Sequence, residues 1–92
     1  MVQEVRALEI KHFVTYGKWR PEIRTEEKSK KAVEEWTKKV EELGLKILLW
    51  GSPFGASEGA IFIYEGTVEN YMKISPMDKP YTGDRTHMVS TW

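Results

Sequence analysis

The chain has 92 residues, with 14 Lys plus Arg against 14 Asp plus Glu, and no cysteine. That length predicts one domain, residues 1–92. A net charge of zero argues against a nucleic-acid backbone binder and a membrane-surface protein, and the missing cysteine excludes disulfides, thiolate catalysis and thiolate metal sites.

In chain order, residues 4–16 alternate and contain Val, Ile, Phe and Tyr, which predicts a first strand. Leu8, Ile10 and Val14 fall on one side of it, and His12 falls on that same side. Gly17 is expected to end the strand, and Pro21 disfavours helix at Arg20. Thr25 is an expected N-cap, with Glu26 and Glu27 at the positive end of the helix dipole. Val33, Trp36, Val40 and Leu43 then recur at helical spacing. Glu34 with Lys38 and Glu35 with Lys39 form i, i+4 pairs on the other side. Gly44 is an expected C′ glycine.

"LKILLW", residues 45–50, and "AIFIYE", residues 60–65, are apolar at nearly every position, so both predict strands buried on two faces. "GSPFGASEG" between them predicts a turn-rich loop. It has neither the dinucleotide nor the Walker spacing of glycines. "VENYMKI", after Gly66 and Thr67, predicts a short helix ending by Ser75–Pro76. "PMDKPYTGD", residues 76–84, predicts an irregular loop, and "RTHMVSTW", residues 85–92, a last strand.

The order β-α-β-β-α-β predicts an α+β, ferredoxin-like domain with antiparallel sheet order 4-1-3-2 and both helices on one face. Strands two and three are apolar on the second face too. An uncovered second face would leave an apolar patch of several hundred Å². A chain this short buries only about 60–65% of its unfolded surface. Both arguments predict a homodimer through that face, with Trp50, Trp92 and either Phe62 or Ile61 in the contact.

"IKHFVTYGKW", "LLWGSPFG…AIFIYEG" and "TVENYMKI", in this order, resemble the dimeric α+β barrel superfamily, which includes small antibiotic-biosynthesis-type monooxygenases and stress-responsive barrel proteins. The resemblance spans the chain and is one of pattern. It implies the fold, the dimer, and a small-molecule cleft between the sheet and its helices.

His12 is the first candidate for chemistry in that cleft. An imidazole there serves either as a general base or polar anchor for a small, partly apolar molecule, or as a core residue bonded to a carbonyl or buried water. Tyr16 would supply a second hydrogen-bonding group. Trp19, Arg20 and Trp36 are candidate ligand-binding residues, with Arg20 or Arg24 able to hold a carboxylate; equally, Trp19 packs the core edge and Trp36 belongs to the helix stripe. His87 is the only other histidine. Whether it shares a face with His12 depends on register. No metal-ligand spacing and no flavin or nicotinamide motif is present, so no cofactor or metal is expected.

An RNA-recognition module has the same element order, but "EGAIFIYE" is acidic at both ends where basic residues and exposed aromatics are needed. An acylphosphatase-like anion loop would follow strand one, and "TYGKWRPEIR" lacks its small residues. No run approaches the roughly 18 apolar residues of a spanning helix, and the charged first strand is unlike a signal peptide. The expected setting is cytoplasmic. One Gln and one Asn among many charges follow a thermophile-like trend.

Overall fold

A computed structural model describes residues 10–23, 25–52 and 59–89. Its elements are β1 (Lys11–Trp19), a 3₁₀ turn (Pro21–Ile23), α1 (Glu26–Glu42), β2 (Lys46–Gly51), β3 (Ala60–Gly66), α2 (Val68–Lys73) and β4 (Tyr81–Val89). The chain is an α+β fold, an antiparallel sheet with two α-helices. Among the described residues the sheet has four strands in the order β2-β3-β1-β4.

Each helix begins where its sequence directs. The Thr25 hydroxyl accepts from the Lys28 amide and the Thr67 hydroxyl from the Asn70 amide, so both caps satisfy an otherwise orphaned N–H. Gly44, just past α1, has a φ of 84°, the left-handed conformation that a C′ glycine adopts without a Cβ penalty. Lys79 closes α2 from outside it. Its ammonium donates to the carbonyls of Ile74, Ser75 and Met77.

The stripe of α1 is the core. Val33, Trp36 and Val40 are buried, packed with Phe13, Phe62, Tyr64 and Tyr81 of the sheet. Trp36 Nε1–H donates to the Tyr64 hydroxyl at 2.8 Å, and the Tyr64 and Tyr81 hydroxyls lie 2.7 Å apart. Tyr71 of α2 stacks on Phe13 with centroids 4.2 Å apart. Both helices therefore cover the same face of the sheet.

That face corrects the reading of β1. Phe13, Thr15 and Gly17 are its buried positions, while His12, Val14 and Tyr16 point the other way. Phe13 and Val14 are both apolar, so alternation alone left the parity open. Thr15 is fully buried because its hydroxyl closes a triangle with Tyr71 Oη and Thr86 Oγ1, with sides of 2.6, 2.9 and 2.8 Å. Gly17 does not end the strand. Its missing Cβ admits the Tyr81 ring, and β1 runs on to Trp19. The stretch 4–9 of the expected strand lies outside the described residues.

Two irregularities also depart from the sequence reading. Ile47 pairs with Tyr64 and Leu49 with Ile63, so Leu48 is an extra residue in β2. Ile47 and Trp50 both turn toward the helices as a result, instead of alternating. On β4, Tyr16 pairs with Arg85 and Lys18 with Thr82, a bulge that contains Gly83 at a φ of 61°. Residues 81–84, expected in a loop, are strand up to and through that bulge.

Candidate functional site

The register lays out the sheet face away from the helices as three rows of four. Lys46, Glu65, His12 and Val89 form the first row. Leu49, Ile63, Val14 and His87 form the second, and Gly51, Ile61, Tyr16 and Arg85 the third. The middle row is apolar in three of its four places. Leu49 is 58% exposed, Val14 and Ile63 are half-buried, and no described element lies over them. Leu48 and Val89 add exposed apolar surface at the edges.

Polar pairs flank that row on both sides. His12 Nε2 donates to Glu65 Oε2 at 3.1 Å, with side-chain exposures of 28% and 37%. Across the row, the Arg85 guanidinium sits 4.4 Å from the Tyr16 ring centre, and the His87 ring meets Tyr16 edge-on. Arg85 Nη1 lies 2.8 Å from His87 Nε2. A guanidinium only donates, so Nε2 of His87 accepts and its proton is on Nδ1. His12 carries a proton on Nε2, toward Glu65.

The expected site residues divide between the two faces. His12 and Tyr16 are on the open face and do not enter a cleft under the helices. The cause is the parity of β1. Trp36 is on the helix face, buried and bonded to Tyr64. Trp19 is on that face too, edge-on to Trp50 and Phe62. Trp50 and Phe62 therefore lie away from the open face, and of the two residues Phe62 and Ile61 it is Ile61 that the open face carries. Trp92 and Arg24 lie outside the described residues.

Arg20 stands apart, at the rim of a groove of about 300 Å³ between α1, the 3₁₀ turn and residues 78–80. Its Nε–H donates to the Lys79 carbonyl, and Nη2 is 3.8 Å from Asp78. One edge of Trp36 reaches the same groove, whose rim holds Glu22, Glu35 and Lys39. Arg20 and Trp36 are brought together there, without His12. A larger groove, about 500 Å³, runs along α1 beside Trp50.

Sequence reasoning could place Glu65 near the histidines but could not fix its pairing with His12, and it missed the Tyr16–Arg85–His87 cluster. The antiparallel pairing of β1 with β4 was the signal, but its register was not legible. Among the described residues no three of His, Asp and Glu gather as metal ligands, and no helix is long and apolar enough to cross a membrane. No known family model, curated protein or solved structure matches the chain.

Proposed function

We propose that the chain is a homodimeric binding module of the ferredoxin-like, dimeric α+β barrel kind. Two open sheet faces close on each other and hold a small, partly apolar molecule. The observation that carries this is the apolar row Leu49, Ile63 and Val14, which no described element covers and which two polar pairs flank. The order β2-β3-β1-β4, with both helices on the opposite face, supports the barrel arrangement. Exposed apolar surface of this kind marks an association or ligand site in a small domain.

The reading is of binding, with Tyr16 as the polar contact of the seat, at the end away from His12 and Glu65. The space under the helices is filled by Trp36, Phe62, Tyr64 and Tyr81. A second seat, beside Arg20 and Trp36, is favoured by the 300 Å³ groove there. A cytoplasmic setting belongs to the proposal, since a chain without cysteine needs no oxidising compartment to reach its fold.

Native mass spectrometry of the whole chain, under conditions that keep small ligands, tests the reading. The expected result is a dimer carrying extra mass, and a monomer after Ile63→Lys. A wild-type monomer overturns it. So does a dimer that Ile63→Lys leaves intact.

A further inference from the structure

The open face is charged in a way that selects how two copies meet. Resting on the paired-face reading above, we infer that His12 and Glu65 of each copy bond across the dimer, closing a ring of two imidazoles and two carboxylates on the two-fold axis.

Two face-to-face arrangements keep the strands of the two copies aligned, one with the two-fold axis along the strands and one with it across them. In the first, the axis lies between the sheets. Rotation about it exchanges β3 with β1 and β2 with β4, and it cannot slide one row past another. Each row then covers itself. Glu65 meets the partner's His12, and Ile63 meets the partner's Val14. Ile61 and the partner's Tyr16 face each other with the bound molecule between them. Gly51, with no side chain, leaves room for the partner's Arg85.

In the other arrangement the axis crosses the strands and the outer rows exchange. Glu65 would then press on the partner's Ile61, and Lys46 on the partner's Gly51. In the first arrangement Lys46 lies over the partner's Val89, so its ammonium gains no partner in either; what differs is Glu65, which meets His12 in the first and would be desolvated against apolar surface in the second, at a cost. His87 would face the partner's His87. Charge complementarity therefore selects the first arrangement.

The His12–Glu65 pair has the unused capacity this requires. Glu65 Oε2 takes the bond from Nε2. Its other oxygen and Nδ1 of His12 have no further partner among the described residues. An imidazolium donates from both nitrogens, and a carboxylate accepts on both oxygens. Nε2 serves the pair within a copy and Nδ1 reaches the partner's Glu65. The ring carries two positive and two negative groups, so it closes without net charge. Two sheets stacked about 10 Å apart leave a gap that these two side chains can bridge.

The test uses His12→Glu and Glu65→Lys in the full chain, alone and mixed, read by native mass spectrometry. His12→Glu places four carboxylates around the axis, and Glu65→Lys leaves only basic groups there. Each variant alone is expected to be monomeric, and an equimolar mixture to give the mixed dimer. Homodimers of either variant as abundant as those of wild type overturn the inference. A mixture that stays monomeric, with both variants folded by circular dichroism, overturns it as well. If a charge variant does not fold, His12→Gln and Glu65→Gln replace the pair; the dimer dissociation constant is expected to rise about tenfold in each, and an unchanged constant overturns the inference. A wild-type monomer removes the paired-face reading itself, whereas a wild-type dimer indifferent to these substitutions removes only the ring.

Discussion

The indole N–H of Trp36 donates to the phenol oxygen of Tyr64 at 2.8 Å, inside the core, and joins α1 to the middle of the sheet. The same oxygen lies 2.7 Å from the Tyr81 hydroxyl, so β4 is tied in at the same point. Tyr64→Phe keeps the ring but leaves the indole N–H without its acceptor. A buried donor left unpaired costs about 1–3 kcal/mol. Urea unfolding is expected to show a lower midpoint with an unchanged slope.

Gly17 and Gly51 give a matched pair of substitutions. A Cβ on Gly17 would stand 2.7 Å from Cδ2 of Tyr81, a ring held in the core, whereas one on Gly51 meets nothing within 4 Å. Gly17→Ala is expected to destabilise by about 1–3 kcal/mol, the usual cost of overpacking. Gly51→Ala meets no atom of its own chain and is expected to stay within about 0.5 kcal/mol of the parent in the stability of the single copy, any further loss falling on the dimer. Equal losses in a thermal or urea melt would contradict the close approach of β1 to Tyr81.

The N-cap of α1 is open to the same kind of test. Thr25→Ala removes the acceptor of the Lys28 amide and is expected to cost about 1 kcal/mol. Thr25→Asp should hold stability, because its carboxylate caps equally well and sits at the positive end of the dipole. Far-ultraviolet circular dichroism during urea titration reads both.

The composition carries a thermal prediction. Only Gln3 and Asn70 are amides, and charged residues make up 30% of the chain. A melting midpoint above about 65 °C is expected, beyond the usual mesophile range. Scanning calorimetry giving a value near about 50 °C would contradict it.

Helix boundaries were the most legible part of the sequence. Thr25 and Gly44 bracket α1, and Val33, Trp36 and Val40 are buried as their spacing implies. Local signals set these features. The faces of the strands were less legible, because the information is not local. Thr15 looks polar and is fully buried, since Tyr71 and Thr86 supply its bonds from distant parts of the chain. Leu48 and Leu49 are the same residue type, so nothing in "KILLW" marks which of them is the bulge. Gly83 reads as a turn and is the bulge of β4. One error of parity in β1 moved His12 and Tyr16 from one side of the sheet to the other, and with them the expected site.

The central position of β1 has a consequence for how the protein is made. Its partners are residues 60–66 and 81–89, so the strand that leaves the ribosome early lies between two that leave late. During translation Phe13, Val14 and Tyr16 have no native strand to pair with, while α1 can already coil. Such long-range pairing is slow, and unpaired apolar strands invite aggregation in the interval. A nascent chain halted before β3 should therefore engage a chaperone that binds extended apolar segments, and one extended through β4 should release it.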